Sequence, residues 1–201
     1  MRTRPSPAAV GLAVAAGAGA VWLAYKALAL PPLLRLRVAR LDQEGRRRYA
    51  LRALLRRLAR LPGADRFVLR GSLLFSAYCP RLARPVADLD FLALIDNSEE
   101  AVVAAVRDAC AVAARDGLTF NAKSVDAQRT FEERASPGLK VHVTAAFAEG
   151  WGHDEPLVIG IDFGWGDPLE PPPCWVTIPC PAGGVRARAA RLETLLAWKL
   201  E

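Results

Sequence analysis

Two stretches, Leu69-Arg70-Gly71-Ser72 and Ala87-Asp88-Leu89-Asp90-Phe91-Leu92-Ala93-Leu94-Ile95, decide how this chain is read. The second begins with two carboxylates two residues apart and runs on as an apolar strand. Period two puts the side chains of Asp88 and Asp90 on one face of that strand. Carboxylates this close repel, and a divalent cation between them removes the cost. Oxygen ligands of this kind suit Mg²⁺. The first stretch reads as a strand that turns at Gly71 into a helix beginning at Ser72. Such a turn lets backbone amides and the Ser72 hydroxyl approach a phosphate.

A third carboxylate, Asp162, lies in Val158-Ile159-Gly160-Ile161-Asp162, near the end of another apolar strand. Three carboxylates on adjacent strands form the cluster that two-metal phosphoryl transfer requires. Bland readings stand beside this one. Asp88 could cap a loop, Asp90 could pair with Arg81 or Arg84, and Asp162 could be a turn aspartate ahead of Gly164 and Gly166. The apolar run Phe91–Ile95 weighs against them at Asp90, because an unpaired charge beside it would be costly.

The rest of the chain predicts a mixed α/β (α+β) domain with one sheet. One helix is expected from Leu33 to about Leu61. Leu51, Leu54, Leu55, Leu58 and Leu61 form its apolar stripe, and arginines at 46–48, 52, 56, 57 and 60 occupy much of the remaining surface. Ser98 caps a third helix, after the one that begins at Ser72, and it continues from Ala101 to Arg115. Strands are expected near Ser124–Glu132, Leu139–Ala148 and Leu157–Phe163, with a last short one at Trp175–Ile178. A helix from Arg191 to Glu201 follows. The order is helix, strand, helix, strand, helix, three or four strands, helix.

Charge is unevenly spread over the 201 residues. Residues 1–70 hold 15 Lys/Arg against 3 Asp/Glu, and residues 71–201 hold 12 against 18. A basic first third suits nucleic acid or anionic lipid, or is a solvated arginine face. The cysteines Cys79, Cys110, Cys174 and Cys180 form no Cys-x-x-Cys pair, and His142 and His153 lie far from ligand spacing. That points away from zinc and from a disulfide framework, and toward a reducing cytoplasm. Residues 8–25, AAVGLAVAAGAGAVWLAY, carry no charge. They are just long enough to span a membrane, though Ala and Gly insert weakly. A signal peptide cleaved after Ala27-Leu28-Ala29 and a start codon placed too far upstream are the other readings. Residues 1–31 are therefore set apart from a domain at 32–201.

Several motifs in order resemble the AbiEii/AbiGii toxin family of bacterial nucleotidyltransferases. They are Arg66–Phe75, Arg84–Asp90, Asp116-Gly117-Leu118, Gly138-Leu139-Lys140-Val141, Ile161–Asp167 and Glu193–Leu200, the last resembling that family's Glu-x-x-x-Ala-x-Lys helix. The resemblance implies a polymerase-beta-like fold and transfer of a nucleoside monophosphate from an NTP with Mg²⁺. It implies that Gly71 and Ser72 hold phosphates, that Asp88, Asp90 and Asp162 bind metal, and that Lys199 reaches the nucleotide. It further implies a tRNA acceptor and a separately encoded antitoxin. Three departures matter. Val86 and Ala87 replace the usual hydroxyl residue and Arg before the first aspartate. Trp198 replaces a frequent Glu. The family's further helical region with an Arg-x-x-Asp-type motif is not seen. An inactive remnant and a membrane-tethered module that binds nucleic acid or lipid are thus the competing expectations.

Overall fold

The computed structural model describes residues 32–82, 84–96, 98–130, 138–149, 155–180 and 183–200. In chain order these form α1 (Pro32–Ala39), α2 (Gln43–Leu58), β1 (Phe67–Arg70), α3 (Gly71–Tyr78), β2 (Asp88–Ala93) and α4 (Glu99–Ala111). Then come β3 (Leu118–Thr130), β4 (Gly138–Phe147), β5 (Leu157–Gly164), β6 (Cys174–Ile178), β7 (Val185–Ala189) and α5 (Leu192–Leu200). The strands make one mixed sheet in the order β3-β4-β5-β2-β1-β7-β6. The β2–β5 and β1–β7 pairs are parallel and the others antiparallel. This is the mixed α/β architecture the sequence predicts.

Alternation along paired strands gives the sheet two unlike faces. Leu89 and Phe91 of β2 sit beside Ile161 and Phe163 of β5, which sit beside Val141 and Leu139 of β4. All six are buried. The rings of Phe67, Phe91 and Phe163 meet at centroid distances of 5.5–6.3 Å. Helix α2 packs on β2 and β5 and against α4, and α4 packs on β3. Leu51, Leu54, Leu55 and Leu58 join the strands in one hydrophobic core. The opposite face carries Asp88, Asp90, Asp162 and Lys140, all only partly buried.

Four expectations change. The helix expected from Leu33 to Leu61 is two helices, because Asp42 caps α2 by accepting the Gly45 N–H at 2.8 Å. Strand β3 starts at Leu118, ahead of Ser124, since a register shift between Asn121 and Asp126 breaks the alternation that would have revealed its first half. Helix α4 ends at Ala111 rather than Arg115. Strand β7 is an addition, its Val185, Ala187 and Ala189 buried between outward-stepping arginines.

The arginine face of α2 is also not uniformly solvated. Arg57 is buried and donates to both Asp116 carboxylate oxygens at 2.6 and 2.9 Å and to the Leu118 carbonyl at 2.9 Å. Its guanidinium lies 4.8 Å from the Phe120 ring centre. Tyr49 Oη donates to the Asp116 carbonyl at 2.7 Å. This network ties α2 to the entry of β3. Residues 8–25 lie outside the described residues. Among the described residues no helix is long and apolar enough to cross a membrane. All four cysteines are free.

Candidate active site

The turn between β1 and α3 is built around a carboxylate. Arg70 ends β1 in register with Asp90 of β2. Gly71 follows with φ +69°, a left-handed conformation that L side chains rarely adopt. A Cβ at residue 71 would stand 1.9 Å from Oδ2 of Asp90. Glycine is therefore required twice over at this position, for its backbone and for its lack of bulk. The next backbone N–H, that of Ser72, donates to the Asp90 carboxylate. The expected phosphate-holding turn is thus also the seat of an aspartate. The Ser72 side chain itself is buried.

Asp90 lies directly beside Asp162 in the parallel β2–β5 pairing. Asp88 shares its face of β2. Each of the three offers a carboxylate oxygen within 4.8 Å of the others. Burial, then the charge of Asp162, raises the Asp88 carboxyl above its ordinary range. Burial, then the charges of Asp88 and Asp162, pushes Asp90 up to about 6. Positive charge compensates only part of the cluster. Lys140 Nζ sits 3.2 Å from Asp162. Arg70 is engaged by Asp167. Among the described residues neither Arg81 nor Arg84 ion-pairs with Asp90, and Asp162 lies inside β5 rather than in a turn. Three convergent oxygen donors, desolvated and mutually repelling, are a donor set that a divalent cation fits.

Next to Asp90 opens a cleft of roughly 800 Å³ including its open mouth, lined by Arg70, Ser72, Arg84, Trp198 and Lys199 among others. Helix α5 brings Lys199 there from the far end of the chain. The helix is held by the proline-rich loop after β5: Thr194 donates to the Glu170 carbonyl and Trp198 Nε1 to the Pro168 carbonyl, both at 3.1 Å. The Arg70 guanidinium lies 5.5 Å from the Trp198 ring centre, and Lys199 Nζ lies 6.0 Å from that of Phe75. All six site residues expected from sequence thus surround one place. Asp88, Asp90 and Asp162 form the cluster, while Gly71, Ser72 and Lys199 line the adjoining cleft.

Sequence reasoning missed four residues here. Lys140 is in register with Asp162 across β4 and β5, a pairing that only the sheet order reveals. Arg70, Arg84 and Trp198 reach the cleft through long side chains from three separate segments. Val86 is buried in the core.

No curated protein sequence matches the chain. The family model of the nucleotidyl transferase AbiEii toxin, Type IV TA system, matches residues 52–201, which include every residue of the cluster and of the cleft. The chain belongs to the AbiEii family of nucleotidyltransferase toxins.

Proposed function

We propose that residues 32–201 form a cytoplasmic, Mg²⁺-dependent nucleotidyltransferase domain that moves a nucleoside monophosphate from an NTP to an acceptor hydroxyl, with tRNA as the acceptor and a cognate antitoxin as the neutralising partner. The observation that carries this reading is the juxtaposition of the Asp88–Asp90–Asp162 cluster with a cleft bearing Arg70, Arg84 and Lys199. In the reaction the acceptor hydroxyl gives up its proton to a cluster carboxylate while its oxygen forms a bond to the α-phosphorus. The bond from that phosphorus to the bridging oxygen breaks, and pyrophosphate leaves. The three aspartates would hold Mg²⁺, which when bound supplies the charge neutralisation that phosphate oxygens need.

This chain's own groups do the rest. Arg84 and Lys199 bring positive charge to the triphosphate side of the cluster. The turn at Gly71-Ser72 keeps the Asp90 carboxylate at the cleft floor while lining the phosphate path. Lys140 steadies Asp162 from the opposite side. The test is incubation of the purified chain with labelled NTPs, Mg²⁺ and total tRNA, beside Asp88→Ala/Asp90→Ala. Label should enter tRNA with the wild type only. Equal incorporation by both proteins would sink the reading.

A further inference from the structure

A second cleft, of about 530 Å³ including its open mouth, lies between the end of α2 and the start of β7. It is lined by Arg56, Ala59, Arg60, Gly184, Val185 and Arg186. Half of these are arginines and none is acidic. Arg56 lies in the last turn of α2 and Arg60 two residues past its end, both at the same cleft. Arg56 donates to the Gly183 carbonyl and Arg60 to the Ala113 carbonyl. Among the described residues no carboxylate ion-pairs with Arg60, Arg186 or Arg188. Beside the cleft stands Trp175 of the edge strand β6, 53% exposed. The Arg186 guanidinium lies 5.0 Å from its ring centre. Arg188 and Trp175 line the neighbouring recess together.

Two arginines without acidic partners, Arg60 and Arg186, set in a concavity next to an exposed indole, meet two demands at once. Guanidinium forks match phosphate oxygens, and an exposed aromatic ring stacks on an unpaired base. We propose that this cleft binds single-stranded polynucleotide, with Arg60 and Arg186 on backbone phosphates and Trp175 under a base. It rests on the nucleotidyltransferase reading in one respect, that the bound strand is part of the acceptor. The surface lies at the β7–β6 end of the sheet, separated from β2 by β1, so it would dock the acceptor away from the reacting hydroxyl. A concave site with one aromatic suits a strand better than a flat lipid surface.

The experiment is anisotropy of a fluorescein-labelled 12-nucleotide RNA titrated with the full chain across a salt series. Arg60→Glu/Arg186→Glu should weaken binding at least tenfold and flatten the salt dependence by roughly 1.4 log units per log unit, two phosphate contacts on a single strand. Trp175→Ala should weaken binding about tenfold with the salt slope kept, and Trp175→Phe should recover most of it. Melting curves check folding, and Arg60→Gln/Arg186→Gln replaces the charge reversal if that variant melts early. Unchanged affinity in the arginine and tryptophan variants overturns the proposal. So does phosphatidylserine vesicle binding that exceeds RNA binding and depends on the same arginines. Asp88→Ala/Asp90→Ala should bind RNA like the wild type. Transfer without arginine-dependent binding would remove the docking site alone. Arginine-dependent binding without transfer would remove the enzyme reading alone.

Discussion

On β2, Leu89 and Phe91 face one way and Asp88 and Asp90 the other. On β5, Ile161 and Phe163 oppose Asp162 in the same fashion. The two faces share a backbone, a register and a hydrogen-bond ladder, yet their energetics are opposed. The apolar face gains stability with each ring it buries. The acidic face loses some, because it holds three carboxylates partly out of water with one ammonium against them. Stability and chemistry have been assigned to alternate residues of the same strands. A change on one face should therefore read out in a different assay from a change on the other.

The largest effect is expected on the apolar side. Phe163 is fully buried and stacks on Phe91 at 5.5 Å and meets Phe67 edge-on at 5.5 Å. Phe163→Ala should cost about 3–5 kcal/mol, read as a lower urea midpoint. A loss under about 1 kcal/mol would mean that the two faces do not divide the labour as described. Next in size is the mirror experiment. Asp88→Asn and Asp90→Asn should each lower nucleotidyl transfer on the order of 10²–10³-fold, equivalent to about 3–4 kcal/mol of barrier. Neither should lower the melting temperature, and a gain of a few degrees is expected because a repelling charge is gone. A clear drop in melting temperature with transfer retained would recast the cluster as structural.

Gly71→Ala should fall between the two classes. The left-handed backbone adds about 1–2 kcal/mol for any L side chain. The new methyl must also displace Asp90, whose Oδ2 would be 1.9 Å away. Both stability and transfer should drop together. Loss of stability alone would show that Asp90 can shift without consequence.

Much of the acidic side was legible in the sequence because its signals are local. Asp88 and Asp90 announce themselves by period two, and Gly71 by its place between strand and helix. Asp162 could be guessed as a strand-end charge, and the family motifs placed Lys199. What was illegible depends on partners distant in sequence. Arg57 reads as one more surface arginine until Asp116 is brought to it by the α4–β3 connection. Lys140 reads as an outward strand residue until β5 is known to lie beside β4. Strand β7 is short and built on small residues, so its burial comes from the sheet and not from its own hydrophobicity. The break at Asp42 hides because α1 and α2 are both helical, and a cap inside an arginine-rich run leaves the periodicity nearly intact.

The smallest effect, and the one that most directly weighs the two faces, is the pH dependence of stability without added metal. Asp90 sits at about 6 in the folded chain, against about 3.9 in an unfolded one. Between those values the folded state binds more protons than the unfolded state, so stability falls as pH rises. The contribution is fully present below about pH 4 and is lost through pH 6. In EDTA the melting temperature should therefore decline by a few degrees from pH 5 to pH 7, a slope that Asp90→Asn should flatten. Mg²⁺ competes with protons for the same oxygens, so millimolar Mg²⁺ should raise the melting temperature more at pH 7.5 than at pH 5. A stabilisation independent of pH, or one that survives in Asp88→Asn/Asp90→Asn, would place the cation elsewhere. The Phe163→Ala protein supplies the control. It should melt lower at every pH yet keep the same slope, since the ring and the carboxylates lie on opposite sides of one strand pair.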